Sequence, residues 1–314
     1  DSTGEESKAK FTVRNYMAGG YSELHIKKAE DGIFDIEIKN VTKVLGGKKI
    51  LNNISFNVRK NTIVGLVGPN GAGKTTTVRI LTLLSKKKSG SVKICGYDIE
   101  KDSERIKELI GVVPQHMSLD QDLTGRENLV LQARLHHLKN KAAMEQRINE
   151  ILEFVELTDR ADDKSRRYSG GMKRRLMIGM ALLHKPKMLF LDEPTVGLDP
   201  QVRRKMWDLI RKMNEAGMTV LLTTHYIEEA DQLCRRVAIM NRGRIIAVDT
   251  PQKLKEKVGR VVVEHMEADG MINNFFDNRE QAASYVAGLN SNATVREANL
   301  EDVFIELTGR RVND

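Results

Sequence analysis

The most informative segment of this sequence is Gly68-Pro69-Asn70-Gly71-Ala72-Gly73-Lys74-Thr75-Thr76. It fits the pattern Gly-x4-Gly-Lys-[Ser/Thr], in which glycines let backbone N–H groups converge at a helix start that favours phosphate. An apolar and β-branched run, residues 62–67, precedes it as a buried parallel strand would, and a helix is expected from about Lys74. The pattern predicts that Lys74 contacts the β- and γ-phosphates of a nucleotide and that Thr75 ligates Mg²⁺. A tight glycine-rich turn without a ligand is the alternative.

The segments on either side of this loop predict an α/β fold. Alternating short runs over residues 34–58 predict an antiparallel start. Helical periodicity over residues 144–155, 172–183 and 202–213 alternates with strand-like runs at 187–191 and 218–224. This alternation is typical of a parallel sheet covered by helices.

Two shorter signals add detail. Thr124-Gly125-Arg126-Glu127 has the spacing of a capping box and predicts a helix that continues through Leu131, Leu135 and Leu138. Residues 237–248 predict a hairpin that turns at Asn241-Arg242-Gly243.

Beyond about residue 257 the pattern restarts, with strand-like runs at 260–264 and 294–298 and helix-like runs at 279–289 and 301–308. The sequence therefore predicts a small α+β tail.

Polar residues follow the predicted strands at the edge where open α/β sheets bind their ligands. Asp192 and Glu193 end the apolar run 188–191, and we expect Asp192 to contribute to a magnesium shell and Glu193 to polarise the attacking water. The alternative is an acidic strand end before the turn at Pro194. His225 and Gln115 also follow strand-like runs, but neither residue type is diagnostic of function at such a position by itself.

A second helix start could also accept an anion. Ser169-Gly170-Gly171 precedes the predicted helix at 172–183, with Ser169 suited to be its N-cap. Lys173, Arg174 and Arg175 crowd the first turn, where the helix dipole disfavours cations. An anion at this helix start would offset that conflict, and a solvated charged face is the equally weighted alternative. Two such helix starts in one chain suggest a nucleotide gripped from two sides.

The composition limits the class of protein. The chain has 314 residues and a formal net charge of +8, with 40% hydrophobic and 30% charged residues, as in ordinary globular proteins. No apolar run approaches the ~18 residues that would cross a bilayer. Cys95 and Cys234 are far apart, so neither a disulfide framework nor a zinc site is indicated, and a reducing cytosol fits. Glu5, Glu6 and Lys8 lie where a signal peptide would need an apolar stretch, so no secretory signal is expected. The basic excess could reflect nucleic acid, an anionic membrane, phosphate ligands or no specific partner.

Taken in order, these motifs resemble those of the ATP-binding-cassette (ABC) ATPases. They are the Walker A loop at 68–76, the Q-loop at Gln115, the signature Tyr168-Ser169-Gly170-Gly171-Met172, the Walker B segment at 189–193, the D-loop Gly197-Leu198-Asp199-Pro200 and the switch histidine His225. Residues 123–129 and 298–304 are further similar to drug- and lipid-exporter ATPase subunits of the daunorubicin-resistance type. The resemblance implies a P-loop NTPase fold of ABC type, with a mainly parallel core sheet, an antiparallel β subdomain and a helical subdomain.

The resemblance also implies a domain division, a cofactor set and partners. We expect an extension at 1–33, an ATPase domain at 34–257 with its helical subdomain at about 116–168, and an accessory α+β domain at 258–314. ATP and Mg²⁺ would bind, with Gln115 joining Thr75 and Asp192 near the metal. Each ATP would lie between the Walker A loop of one subunit and the signature of the other, with Asp199 crossing the interface of a homodimer or pseudo-symmetric dimer. A separate multi-span membrane subunit would press on the helical segment between Gln115 and Ser169, which would place the chain peripherally at the cytoplasmic face of the membrane.

The leading hypothesis is the motor subunit of a membrane transporter, and an exporter is the favoured kind. Two other functions are alternatives to it. A soluble ABC ATPase acting on ribosomes or nucleic acid would suit the basic charge, but the chain has neither a second cassette nor a long coiled coil. The basic run 86–88 is more typical of a solvated face than of a nucleic-acid patch, so no nucleic acid is expected. A regulatory nucleotide binder without turnover is disfavoured because Lys74, Glu193 and His225 are all present.

Overall fold

The structure is a computed structural model that describes residues 33–116, 118–267, 270–289 and 292–308. The extension predicted at 1–33 lies outside these residues except for Ile33. The strands are β1 (Phe34–Leu45), β2 (Lys48–Arg59), β3 (Ile63–Val67), β4 (Ser89–Ile94), β5 (Tyr97–Asp98), β6 (Ile110–Val113), β7 (Met188–Asp192), β8 (Thr219–Thr224), β9 (Arg236–Asn241), β10 (Arg244–Asp249), β11 (Val261–Glu267), β12 (Gly270–Phe276) and β13 (Ala293–Glu297). The helices are α1 (Lys74–Leu81), α2 (Ser103–Leu109), α3 (Gly125–Leu135), α4 (Lys141–Phe154), α5 (Gly170–Leu182), α6 (Pro200–Glu215), α7 (Ile227–Leu233), α8 (Pro251–Val258), α9 (Arg279–Ala287) and α10 (Leu300–Thr308).

The central sheet has the strand order β10-β9-β3-β8-β7-β6. All its neighbouring strands are parallel except β9 and β10, which form the predicted hairpin. A second sheet, β2-β1-β4-β5, is antiparallel and contains the predicted antiparallel start of the chain. The predicted α/β fold, with a mainly parallel core sheet beside an antiparallel one, is confirmed.

The apolar sequence of β3 follows from its place inside the sheet. Ile63 and Val67 pack in one hydrophobic cluster, whereas Val64 and Leu66 pack in the cluster on the opposite face. All five residues of the strand are buried because successive side chains point to opposite faces and both faces are covered. The predicted two-sided burial of this strand is confirmed.

The register of the parallel strands brings four strand ends to one edge. Val67 lies opposite Thr224, Thr223 lies opposite Asp192, and Leu191 lies opposite Val113. The segments that follow these strands must therefore leave the sheet side by side. These segments carry the glycine-rich loop at 68–76, His225, Glu193 and Gln115.

Helix α3 begins where the sequence predicted and ends earlier. Thr124 Oγ1 accepts a hydrogen bond from the Glu127 N–H, and the Glu127 carboxylate accepts one from the Thr124 N–H, so the capping box is present. The helix ends at Leu135, and the predicted continuation through Leu138 is wrong. Leu131 and Leu135 are 46% and 64% exposed, because the face of α3 that packs on the core carries Leu129 and Ala133 instead.

The tail contains one strand that the sequence analysis missed. Strands β12-β11-β13 form an antiparallel sheet, and α9 packs on it through Ala282 against Val261 and Val263. Helix α10 packs elsewhere: Leu300 and Phe304 belong to the large hydrophobic cluster that also contains Ile63 and Val67 of the central sheet. The division of the chain at residue 258 stays a prediction.

Candidate nucleotide-binding and catalytic site

The glycine-rich loop joins β3 to α1 in the conformation that its sequence predicts. Gly73, the N-cap of α1, has a φ of 108°, and Gly71 has a φ of 77°, values that an L-residue with a side chain rarely adopts. The Ala72 N–H donates to the Pro69 carbonyl at 3.1 Å, which closes the loop on itself. Since Gly73 has no side chain to cap α1, the positive end of this helix remains available to an anion.

Lys74 is held inside the loop by backbone carbonyls. Its Nζ donates to the Gly68 carbonyl at 2.7 Å and to the Pro69 carbonyl at 3.2 Å, and it lies 3.6 Å from Glu193 Oε1. The side chain is only 5% exposed, and this burial lowers the pKa of Lys74 from its usual range, although the neighbouring Glu193 carboxylate partly opposes the shift. The nearest anionic group to this buried ammonium is the Glu193 carboxylate, at 3.6 Å. A phosphate that enters the loop would give the ammonium a closer anionic partner.

Glu193 is the centre at which the predicted groups meet. Gln115 Nε2 donates to Glu193 Oε2 at 3.2 Å, and His225 Nδ1 lies 3.1 Å from the same oxygen. An ionised carboxylate can only accept hydrogen bonds, so His225 Nδ1 carries the proton in this arrangement. The structure thus brings Lys74, Gln115 and His225 together on one carboxylate, although 32 to 119 positions of sequence separate them from Glu193.

The backbone at Glu193 is held in an unfavourable conformation. Its φ is 49°, in the left-handed region, which costs a residue other than glycine about 1–3 kcal/mol. Its N–H donates to the Thr223 carbonyl and to Thr223 Oγ1, at 3.1 and 3.0 Å, and these bonds fix the strained residue. This turn directs the Glu193 side chain toward Lys74, Gln115 and His225, and nothing in the local sequence had indicated it.

Asp192 and Thr75 lie together, as predicted for a magnesium site. Thr75 Oγ1 donates to Asp192 Oδ1 at 3.4 Å, and Asp192 is buried and also accepts from Thr223 Oγ1. One carboxylate and one hydroxyl are hard oxygen donors of the kind that Mg²⁺ uses beside substrate phosphates, so these two residues fit the metal. Gln115, the third predicted metal residue, contacts Glu193 instead. Among the described residues, no cluster of three or more His, Cys, Asp or Glu side chains could hold a metal by itself.

An aromatic ring packs against His225, and a guanidinium group packs against that ring. The Tyr226 ring lies 4.2 Å from the His225 ring between centroids, and the Arg203 guanidinium lies 4.3 Å from the centre of the Tyr226 ring. Arg203 belongs to α6, the helix that follows the D-loop. The histidine orientation is therefore linked to the start of α6, a connection that the sequence analysis did not anticipate.

The signature residues lie away from this cluster within one chain. Ser169 is the N-cap of α5, as predicted, and its Oγ accepts from the Met172 N–H at 3.2 Å. A Cβ on Gly171 would lie 2.3 Å from Val202 Cγ1, so the start of α5 packs closely on α6. In the part of the chain that the structure describes, Ser169, Gly170 and Gly171 make no hydrogen bond to the phosphate loop or to Glu193.

Asp199 has a local structural contact. Its Oδ1 accepts hydrogen bonds from the N–H groups of Gln201 and Val202, at 3.1 and 3.0 Å, and so caps α6, with Pro200 as the first helical residue. The cap fixes the D-loop relative to α6. The predicted role of Asp199 across a subunit interface stays a prediction.

Two of the three cations near the signature have partners that the sequence analysis did not consider. Arg174 is buried and donates to the carbonyls of Pro114 and Gln115, whereas Arg175 donates to the carbonyls of Val155 and Glu156. A solvated face is therefore the wrong explanation for the buried Arg174, whereas the anion expected at this helix start stays a prediction. Backbone carbonyls of neighbouring segments, and for Arg175 also the Glu156 carboxylate at 3.2 Å, offset the unfavourable position of both cations near the helix start.

Comparisons with known proteins agree with this geometry. A family model described as "ABC transporter" matches residues 51–196, which include the phosphate loop, Gln115, the signature and Glu193. The daunorubicin resistance ATP-binding protein DrrA3 of Streptomyces coeruleorubidus is 38% identical over 310 residues, which cover 89% of this chain and 98% of that protein. This chain belongs to the ATP-binding proteins of the ABC transporter family. The predicted resemblance to the daunorubicin-resistance type is confirmed.

Two further similarities fit the same family. The Nod factor export ATP-binding protein I of Burkholderia lata is 39% identical over 300 residues, which cover 89% of this ABC ATPase and 98% of that protein. A dimeric ATP-binding cassette solved in a post-hydrolysis state with ADP and phosphate matches with a TM-score of 0.62 and 29% identity, covering 68% of this chain and 98% of that one. The predicted enzyme class, an ATPase of this family, is thereby confirmed.

Proposed function

We propose that this ABC ATPase is the ATP-hydrolysing motor subunit of a membrane exporter and acts on a separate multi-span membrane subunit. The observation that carries the hydrolytic part is the convergence of Lys74, Gln115 and His225 on the Glu193 carboxylate at the carboxyl edge of the parallel sheet. The names of relatives that confer drug resistance or export a Nod factor support the exporter part.

Each group at Glu193 has a distinct proposed role in hydrolysis. Glu193 accepts a proton from the attacking water and orients it toward the γ-phosphate. Lys74 neutralises the phosphate charge that develops, and His225 and Gln115 fix the carboxylate orientation through their bonds to Oε2. Residues 68–76 hold the phosphates through their backbone N–H groups and helix start.

Thr75 and Asp192 are the residues that we expect to hold Mg²⁺. When bound, the ion offsets negative charge on the β- and γ-phosphates and keeps them in one orientation. The protein's own contribution is to hold the two oxygen ligands at the sheet edge, where the Thr223 hydroxyl fixes Asp192. Gln115 would approach the metal only after leaving Glu193.

The separation of the two helix starts within one chain supports a dimer. Ser169–Gly171 and the phosphate loop share no hydrogen bond among the described residues, so two copies arranged head to tail would allow one ATP to meet both. Asp199 would then face the partner, because it stands at the exposed start of α6 beside the signature. ATP closes this dimer and hydrolysis opens it. The dimeric cassette with ADP and phosphate is consistent with such pairing.

A groove beside the Q-loop is the proposed docking site for the membrane subunit. Its volume is about 360 Å³, and its walls include Val112, Pro114, Gln132, Met177 and His184. Pro114 directly precedes Gln115, so a segment that enters the groove would act on the residue that contacts Glu193. Exposed Leu131 and Leu135 stand on α3 next to the groove-lining residues Gln132 and His136 and offer an apolar rim.

The same proposal covers the location of the chain. No helix in the described segments is both long and apolar enough to cross a bilayer. We propose that the protein is peripheral at the cytoplasmic face of the membrane, held there by its partner. We expect no nucleic acid among its partners.

The substitution Glu193→Gln tests the catalytic assignment. It keeps the size of the side chain and removes its capacity to accept a proton, so ATP should still bind, turnover should be lost, and a closed dimer should accumulate on ATP. The measurements are phosphate release, nucleotide titration and the dimer fraction by light scattering. Glu228→Gln, an exposed carboxylate near the start of α7, is the matched control and should hydrolyse ATP as the wild type does. Unchanged turnover in Glu193→Gln would refute the assigned role.

Co-purification from membranes tests the transport part. The tagged protein should retain a multi-span subunit in detergent, and Leu131→Ser with Leu135→Ser should lose that subunit while basal ATP hydrolysis persists. Met271→Ser, which changes a comparably exposed side chain on β12, should retain it. Recovery of ribosomes or DNA in place of a membrane subunit would favour the soluble alternative.

A further inference from the structure

Arg174 is a buried guanidinium without a carboxylate partner. It is 2% exposed, and no Asp or Glu of the described residues lies within ion-pair distance of it. Instead, Nη1 donates to the Pro114 carbonyl at 2.7 Å, and Nη2 donates to the Gln115 carbonyl at 3.0 Å and to the Glu193 carbonyl at 3.4 Å. Its direct hydrogen-bond partners are therefore backbone carbonyls, while the Asp192, Glu193 and Glu229 carboxylates favour the charge from a longer distance. Burying such a charge is expensive unless several acceptors are well placed.

The three acceptors belong to two segments that also meet through their side chains. Gln115 Nε2 donates to Glu193 Oε2 at 3.2 Å, while Arg174 holds the backbone carbonyls of both residues. The guanidinium, the amide and the carboxylate thus form a closed ring of contacts. A planar group with five donors can bond several carbonyls at once, which a lysine ammonium does with less geometric control.

Packing alone already anchors α5 to the sheet. A Cβ on Gly111 of β6 would lie 2.6 Å from the Ala181 carbonyl, so the later turns of α5 lie directly against that strand. Leu176, Met177 and Ile178 are buried in the core cluster. Arg174 is not needed to hold the helix on the core. Its Nη1 and Nη2 donate only to the two segments that carry Gln115 and Glu193, and its buried Nε has no hydrogen-bond partner.

We propose that Arg174 is a positioning residue for ATP hydrolysis, which transmits the position of the signature helix α5 to Gln115 and to the Glu193 backbone. When α5 moves at its N-terminal end, the guanidinium moves the carbonyls of residues 115 and 193 with it. The contact between the Gln115 amide and Glu193 then forms or breaks. The proposal rests on the roles of Gln115 and Glu193 given above.

The adjacent arginine provides a matched control. Arg175 also donates to two backbone carbonyls, but those of Val155 and Glu156 near the end of α4, at 3.0 and 3.2 Å, and it donates to the Glu156 carboxylate at 3.2 Å. Arg174→Met and Arg175→Met therefore remove the same chemical group one position apart. Arg174→Lys keeps the buried charge and loses the planar fork, so it remains informative if Arg174→Met does not fold.

The experiment measures steady-state kcat and KM, nucleotide affinity and Tm for these variants of the full chain. We expect Arg174→Met to lower kcat by about tenfold with affinity changed by less than about twofold, Arg174→Lys to retain an intermediate kcat, and Arg175→Met to stay within about twofold of the wild type. Combining Arg174→Met with Gln115→Ala should cost little more than the larger single loss, because the two residues act in one ring of contacts.

Three results would overturn the proposal. The first is wild-type kcat in folded Arg174→Met or Arg174→Lys. The second is a multiplicative loss in the double variant, which indicates independent effects. The third is an equal loss in Arg175→Met, which indicates a general effect on α5. Turnover in Glu193→Gln, measured in the same assay, would instead refute the catalytic assignment on which the proposal rests.

Discussion

Replacing Gly68 by alanine puts a methyl group where the structure has no room for it. An ideal Cβ at Gly68 would lie 2.1 Å from the Met240 carbonyl oxygen and 3.2 Å from the Ala72 Cβ. Met240 belongs to β9, which is paired with β3 on one side and β10 on the other. Its carbonyl cannot retreat without distorting those ladders, so the phosphate loop would have to move.

The expected cost follows from this obstacle. Overpacking costs typically ~1–3 kcal/mol, and we expect Gly68→Ala near the upper end, about 3 kcal/mol, because the contact is with backbone. Gly71→Ala meets nothing within 4 Å, but its φ of 77° costs about 1–2 kcal/mol. Gly288→Ala, at φ −91° with its nearest contact at 3.5 Å, should change the free energy of unfolding by less than about 1 kcal/mol.

Thermal unfolding followed by circular dichroism should rank these variants. At roughly 2–4 °C per kcal/mol, the Tm of Gly68→Ala should fall by about 6–12 °C. The Tm of Gly71→Ala should fall by less, and the Tm of Gly288→Ala should stay close to that of the wild type. ATP should also raise the Tm of Gly68→Ala less than that of the wild type, because the displaced loop binds phosphate more weakly. If Gly68→Ala unfolds no earlier than Gly288→Ala, the close approach of the loop to β9 is wrong.

Three further predictions concern the loop, a helix cap and acid stability. Lys74→Ala should weaken triphosphate binding, because it removes the ammonium group beside the Gly68 carbonyl; wild-type affinity in a nucleotide titration would count against the phosphate loop. Thr124→Ala should lower the free energy of unfolding by about 1 kcal/mol through loss of the α3 cap and leave ATP affinity unchanged, as denaturant titration can check. Burial lowers the pKa values of the stacked His136 and His184, so the unfolded chain takes up protons first as pH falls below about 6.5 and stability is lost. His184→Gln should lose less Tm than the wild type between about pH 7 and pH 5.

Elements with a strong local signal could be predicted from sequence. The five apolar residues of β3 and the capping box at Thr124 each specify their structure through residues close in the chain. Strand β12 was missed because Asn273 and Asn274 interrupt the alternation of apolar and polar residues, and the strand is set by its pairing with β11. The orientation of Leu131 and Leu135 likewise depends on which face of α3 meets the core.

The site shows the same division. Gly68 to Thr76 and the strand-end residues Asp192, Glu193 and His225 follow from motif and position, since parallel strands deliver their ends to one edge. The left-handed φ of Glu193 and the hydrogen bonds of Arg174 could not be predicted from motif and position, because each depends on segments that are distant in sequence. A cation early in a helix was the only sequence signal at Arg174. Two of its three acceptors lie 60 and 59 residues away, and the third lies 19 residues away.

Helix α5 connects the two halves of the proposed dimeric site. Its first residues, Ser169 to Gly171, would face the nucleotide held by the partner, while Arg174 holds the backbone of Gln115 and Glu193 in its own chain. At 1.5 Å per residue, the guanidinium-bearing position lies only about 7–8 Å along the helix from the N-cap. Gly171 also packs on α6, whose Arg203 lies against Tyr226 beside His225. A change at the signature therefore has two short routes to the same carboxylate, one through Gln115 and one through His225. In the proposed dimer, these routes would let each subunit adjust its own hydrolysis to the nucleotide bound by its partner.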